Sequence, residues 1–348
     1  MLNQNLLHLI NQRTIAESLI FVGIGLHSGH RATMRLRPAA ADHGIRIMRR
    51  DLPQGQQTFD VNWKSVSDTT LCTTLGNPSR QEVATVEHLL SALSAMGIDN
   101  LAIELDGPEV PVLDGSAMPY IEALETAGVR ELAVARKVIV VKRPIRLQQG
   151  GSWAELLPSP TQRITVSIDF NAQVIGKQSL SFELNPSIYR QEIAPARTFG
   201  FAEQLMQLRR RGLALGGSIK NAILVRQGRV ENLEGLRFPD EFVRHKVLDV
   251  IGDLSLVGAP IIGHYRGHRP GHRLNTDLLR LLMEDRQAWE RISLTGADLE
   301  LLALDGCRAP LNPLGDAARH ANQQMDRKPY TTPLTKRLFG ILSDGKRR

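Results

Sequence analysis

Within Phe238-Pro-Asp-Glu-Phe-Val-Arg-His-Lys-Val-Leu-Asp-Val-Ile-Gly-Asp253, His245 and Asp249 stand four residues apart, and Asp253 extends the stripe by one turn. On a helix such neighbours share a face, so an imidazole and a carboxylate can converge on one divalent ion. The spacing also fits a solvated ion pair. Two features favour chemistry. The stripe runs beside Val247, Leu248, Ile251 and Leu254, which would half-bury it, and a buried carboxylate needs a partner. A third donor is available in His88, preceded by Glu87, although His88 alone is also consistent with a structural histidine. Two His and one Asp leave the fourth tetrahedral position open, as catalytic sites do, and an adjacent glutamate can serve a metal-activated water as general base. His264, His268 and His272 recur at fours, but Gly267, Pro270 and Gly271 argue against a helix there. They are therefore read as loop histidines, with His272 chosen for an acid or oxyanion-stabilising role. Cys72, in Thr69-Thr-Leu-Cys-Thr-Thr74, is a candidate ligand or nucleophile, or else an inert thiol buried in a strand.

These residues need elements to hold them. Ser18–Gly29 is expected to run as a strand into a glycine-rich turn over Val22–Gly29, with further strands at Ala32–Leu36, Ile45–Met48 and Leu101–Leu105. A helix is expected from an N-cap at Thr85 to Met96, closed by Gly97, and a second over Ser116–Ala127. Polar, unpatterned Arg130–Arg136 is read as a junction. Strands then restart at Val138–Val141, Ala154–Leu157 and Ile164–Phe170, followed by helices at Phe201–Arg210 and Phe238–Val257. Val86-Glu-His88 and Val243-Arg-His245 each open a helix, with apolar residues two and five positions after the histidine. The expected class is α+β: two similar β-α-α-β sandwich domains, an internal duplication, packed with the active site between them. The boundaries read 13–130 and 137–305, with a basic C-terminal tail at 306–348.

Composition narrows the class. With 348 residues, 42% hydrophobic and 23% charged, the chain is neither collagen-like, disordered nor a coiled coil. No apolar run approaches the roughly 18–20 residues of a membrane span, and the N-terminus lacks a secretory pattern. Two cysteines, Cys72 and Cys307, make no disulfide framework, so a reducing cytoplasm is expected. The net charge of +7 lies mostly at the end: residues 327–348 hold seven basic side chains against Asp344 alone. A nearly neutral body and few aromatics argue against nucleic acid as a partner, leaving the tail as a solvated extension or an acidic-surface anchor.

Gly25-Leu-His-Ser-Gly29, Thr85-Val-Glu-His-Leu89, Leu113-Asp-Gly-Ser116, Ala196-Arg-Thr-Phe-Gly200, Leu215-Gly-Gly-Ser218, Arg244-His-Lys-Val-Leu-Asp249 and Gly271-His272 resemble, in order, the motifs of the UDP-3-O-acyl-N-acetylglucosamine deacetylases. The resemblance covers about residues 13–305. It implies two βα domains meeting at a zinc site and a hydrolase that removes the N-acetyl group from UDP-3-O-acyl-N-acetylglucosamine, releasing acetate, in the lipid A biosynthesis of Gram-negative bacteria. It implies zinc ligands at His88, His245 and Asp249, with iron(II) as an alternative ion. The general base falls on Glu87, and the histidine assisting the leaving group or oxyanion falls on His272. The carboxylate orienting that histidine falls on Asp253, and the oxyanion-stabilising hydroxyl on Thr198. Substrate contacts fall on Lys246 (phosphate region), Phe170 (uracil), Phe199 and Arg269, the last standing where some relatives carry a lysine near the diphosphate. An apolar acyl passage falls on Leu26, Leu205, Ala214, Ser218, Ile219 and Ala222, beside which Lys220 puts a cation. The implied enzyme is a cytoplasmic monomer with an acylated UDP-sugar substrate and transient inner-membrane contact without insertion. A deacetylase acting on another nucleotide sugar would share the metal site and differ in specificity.

Overall fold

A computed structural model describes residues 10–53, 58–77 and 81–293; Cys307, the basic tail 306–348 and the last stretch of the second expected domain, 294–305, lie outside them. The first half contains β1 (Asn11–Ile15), β2 (Leu19–Ile24), β3 (Arg31–Pro38), β4 (Ile45–Arg49), β5 (Thr58–Asp60), β6 (Val66–Asp68), β7 (Thr74–Asn77), β8 (Gln81–Val83), α1 (Glu87–Ala95), β9 (Leu101–Leu105), α2 (Met118–Ala127) and β10 (Val129–Ala135). The second half opens with β11 (Lys137–Val141), β12 (Ile145–Gln149), β13 (Ser152–Leu157), β14 (Gln162–Asp169), β15 (Lys177–Glu183) and a short α3 (Pro186–Ile188). It continues through β16 (Phe199–Phe201), α4 (Ala202–Arg210), β17 (Ile223–Arg226), β18 (Arg229–Val230), α5 (Glu241–Ser255), β19 (Ile261–His268), α6 (His272–Glu284) and β20 (Trp289–Ser293). The chain is mixed α+β.

The first sheet runs β2-β3-β9-β4-β5, antiparallel except between β4 and β9. The second runs β12-β13-β19-β11-β20, with β14 joining β19 and carrying β15 at its edge. Strict alternation fixes which faces turn inward. In β3, Ala32, Met34 and Leu36 are buried while Arg31, Thr33, Arg35 and Arg37 are exposed, because side chains on a strand point to opposite faces. Helix α1 is buried on all sides, Glu87 and His88 included, as a helix enclosed between layers must be. It lies against α5. The two backbones approach so closely at Gly252 that an added Cβ would stand 2.1 Å from the Glu87 carbonyl oxygen. A glycine there lets the histidine-bearing helices of the two halves meet. Among the described residues no helix is long and apolar enough to cross a membrane.

Several local expectations are corrected. Thr85 does not cap α1: it adopts φ 58 and donates its hydroxyl to Glu109 Oε1 at 2.6 Å, while the helix starts at Glu87 without a side-chain cap. Arg130–Arg136 is not an irregular junction, because Val129–Ala135 pairs antiparallel with β1. His264 and His268 are not loop histidines. They lie on β19 beside the hydroxyls of Thr165 (2.8 Å) and Ser167 (2.9 Å), and the break at Arg269–Gly271 hands His272 to the start of α6. Cys72 is buried in a bend ahead of β7, not in a strand. Burial, then the Glu87 charge, pushes its thiol up to about 12, so it stays protonated and inert.

Candidate active site

Helices α1, α5 and α6 bring three short stretches together. Glu87 and His88 occupy the first turn of α1; His245, Asp249 and Asp253 form one buried stripe of α5; His272 opens α6 after Pro270-Gly271. The donor atoms of His88, His245 and Asp249 lie within 4.8 Å of one another, and all three residues are buried. Asp249 Oδ1 is 3.3 Å from His245 Nε2 and 3.8 Å from His88 Nε2, while Oδ2 accepts from Lys246 Nζ at 2.8 Å. The imidazole rings cross edge to face at 4.9 Å.

Protonation decides what this trio can hold. His245 Nδ1 lies 3.0 Å from the carbonyl oxygen of Ala196. A carbonyl only accepts, so Nδ1 carries the hydrogen and Nε2 turns a lone pair toward Asp249. Burial lowers the pKa of His245, and burial followed by the neighbouring His245 pushes that of His88 down to about 3, so both rings are neutral. Asp249 is held ionised: burial opposes this, but the Lys246 ammonium against its carboxylate outweighs it. The His245 lone pair aimed at a carboxylate oxygen repels it unless a cation sits between them, and His88 Nε2 stands 3.8 Å from the same oxygen. The trio therefore fits a divalent ion, with the His245–Ala196 hydrogen bond fixing the ligating tautomer.

Beside the trio, His272 Nε2 stands 3.9 Å from Glu87 Oε1, and its Nδ1 lies 3.0 Å from Asp253 Oδ2. Burial raises the Glu87 carboxyl to about 7, partly offset by His272. For His272 burial pulls the other way, but the charges of Asp253 and Glu87 carry it up to about 9. A carboxylate that loses its proton near neutrality thus faces an imidazolium that keeps its own. A general base and a general acid require such a division.

The remaining expected residues surround this cluster. Thr198 is half-buried and fixed through its main chain, which bonds to Gly115 and Ile223. Phe199 lies edge-on to Phe170 (5.6 Å), Phe242 (5.0 Å) and His245 (6.4 Å), with Lys246 Nζ 5.7 Å from its centre. Phe170 and Arg269 share a cleft of about 360 Å³ with Asn171, Phe201 and Gln204. Leu26 lies in the glycine-rich turn, which is bonded to the second half through Leu215 N to His27 O (3.0 Å) and Gly216 N to Leu26 O (3.1 Å). The loops lie so close that a Cβ on Gly216 would stand 2.1 Å from the Gly25 oxygen. Ala214 holds φ 54 in that loop, Leu205 and Ala222 are half-buried, and Ser218 and Ile219 are exposed.

Sequence patterns missed the groups that hold these side chains. Thr73 donates its hydroxyl to Asp253 Oδ1 (2.6 Å), Asn275 donates to Asp253 Oδ2 (2.8 Å), and Tyr265 donates to Asn275 Oδ1 (2.6 Å). The Ala196 carbonyl escaped as well, since a main-chain oxygen leaves no sequence signal. Asn275 alone had one, because it stands three residues after His272 on the same helix face.

A family profile described as UDP-3-O-acyl N-acetylglycosamine deacetylase matches residues 12–284. Proteins named UDP-3-O-acyl-N-acetylglucosamine deacetylase are similar over most of their length. The one from Syntrophus aciditrophicus is 45% identical over 282 residues, covering 81% of this chain and 89% of the relative. That from Histophilus somni is 46% identical over 287 residues, covering 82% and 94%. That from Myxococcus xanthus is 45% identical over 294 residues, covering 84% and 93%.

Proposed function

The chain belongs to the UDP-3-O-acyl N-acetylglycosamine deacetylase family, and from that premise we propose that it hydrolyses the N-acetyl group of UDP-3-O-acyl-N-acetylglucosamine, releasing acetate, as a step of lipid A biosynthesis. What supports this reading is the convergence of His88, His245 and Asp249 beside the Glu87–His272 pair. The ion is zinc in this proposal, with iron(II) accepted by the same donors. When bound, it supplies the Lewis acidity that a poorly electrophilic amide and a weakly acidic water both require.

The chain's own groups move the protons. Glu87 Oε1 accepts a proton from the attacking water. The Thr198 hydroxyl donates to the oxyanion that develops on the former carbonyl oxygen. His272 donates from Nε2 to the departing sugar nitrogen, and Asp253 keeps its Nδ1–H in place. Lys246, Phe170, Phe199 and Arg269 hold the nucleotide portion. Leu26, Leu205, Ala214, Ser218, Ile219 and Ala222 line the path of the acyl chain. In this proposal the protein works in the cytoplasm as a monomer, touching the inner membrane transiently.

The test is acetate release from UDP-3-O-acyl-N-acetylglucosamine, set against the non-acylated sugar nucleotide. Activity confined to the acylated substrate, lost on chelation and restored by zinc, is expected. Equal turnover of the non-acylated compound would point to another nucleotide-sugar deacetylase, and indifference to chelator would overturn the metal assignment.

A further inference from the structure

The Asp253 carboxylate is fully buried and carries three donors: Thr73 Oγ1 at 2.6 Å on Oδ1, Asn275 Nδ2 at 2.8 Å on Oδ2, and His272 Nδ1 at 3.2 and 3.0 Å from the two oxygens. Thr73, itself buried, comes from the other half of the chain, 180 positions away. Its main chain is occupied too. The Thr73 N–H donates to Glu87 Oε2 at 3.0 Å, and its carbonyl accepts from Val86 N at 3.3 Å at the entrance of α1. Among the described residues it is the one hydrogen-bonded to both carboxylates that flank His272.

We propose that Thr73 is a positioning residue for the deacetylation: its main chain holds Glu87 and its hydroxyl holds Asp253, so that the base and His272 face the same substrate nitrogen and water from fixed places. The inference rests on the functional reading above. Its physical basis is rotation. A carboxylate with a donor on each oxygen is locked about its Cβ–Cγ bond. Removing the donor from Oδ1 leaves the His272 Nδ1–H poised between two acceptors at nearly equal distance, and the ring is free to tilt. A tilted ring misdirects Nε2 without altering substrate affinity, so the effect falls on kcat.

The experiment compares Thr73→Val, which keeps the shape and removes the hydroxyl, with Thr73→Ser, which keeps the hydroxyl. For Thr73→Val, kcat falls about tenfold while KM and bound metal per chain stay at wild-type levels. Thr73→Ser retains kcat within about threefold, because the donor is preserved. Wild-type kcat in Thr73→Val, an equal loss in both variants, or a loss confined to KM overturns the proposal. If Thr73→Val does not fold, Thr73→Ala against Thr73→Ser gives the same hydroxyl contrast. An inactive wild type overturns the functional reading and this inference together, whereas an active wild type with an unaffected Thr73→Val overturns this inference alone.

Discussion

Glu87 and His272 face one another across 3.9 Å with their proton affinities displaced by burial and by each other. The sign of the pH dependence follows. The proposed base acts ionised, so kcat/KM rises with pH through about 7 as Glu87 loses its proton. The proposed acid acts protonated, so activity falls through about 9 as His272 loses its own. Both limbs belong to the coupled pair, and a pH–rate profile is expected to be bell-shaped, with Glu87→Gln removing the lower limb and moving the upper one to lower pH, because the Glu87 charge helps raise His272. A proposed general base contributes about 10²–10⁴ in rate, so Glu87→Ala is expected to lose at least about a hundredfold in kcat while keeping its metal. Near-wild-type turnover in that variant would reject the role. His245→Ala or Asp249→Ala is expected to lower bound metal, read by elemental analysis, because each removes one of three donors converging on one point.

Between residue and fold stands the crossing of α1 and α5. The Gly252 contact with the Glu87 carbonyl sets how near His88 comes to His245 and Asp249. Gly252→Ala forces the helices apart and is expected to cost about 1–3 kcal/mol of stability, measured as a lower denaturation midpoint, with a parallel loss of bound metal. An unchanged midpoint and metal content would show that the crossing tolerates the methyl group. The start of α5 is fixed in another way. Glu241, fully buried, accepts from Arg197 N at 3.0 Å and from Arg197 Nε at 2.9 Å, gripping the loop between Ala196, which holds His245, and Thr198. Glu241→Ala leaves a buried guanidinium partly uncompensated and is expected to destabilise by about 3 kcal/mol or more, again read from the denaturation midpoint. A change within experimental error would reduce the pair to an incidental contact.

At the scale of the molecule, charge and chemistry are separated. The residues proposed for the reaction lie between positions 26 and 272, whereas most of the net positive charge lies in residues 327–348. Deleting that tail is expected to leave kcat on the acylated substrate unchanged, and a large loss would place the tail in the reaction. The stripe His245–Asp249–Asp253 and the buried first turn holding Glu87 and His88 were legible because helical periodicity is a local property. The rest was not, for reasons particular to each residue. Thr85 looked like an N-cap, but its hydroxyl found Glu109. Arg130–Arg136 looked unpatterned because most of its side chains face outward, yet its main chain completes a ladder with β1. Thr73 carried no signal at all, since its partner Asp253 is 180 positions away.

The sequence by itself determined which residues could ligate and transfer protons, since side-chain chemistry and the rise of a helix are set within a few positions. It also determined the mixed α+β class, through periodicities of the same short range. Only the tertiary structure decided that His88 meets His245 and Asp249, that a main-chain carbonyl leaves Nε2 as the nitrogen of His245 free to ligate, and that Thr73 ties Glu87 to Asp253. Those are contacts between segments distant along the chain. They are fixed by packing at places such as Gly252 and by the need of buried polar groups for partners, neither of which is written at any one position.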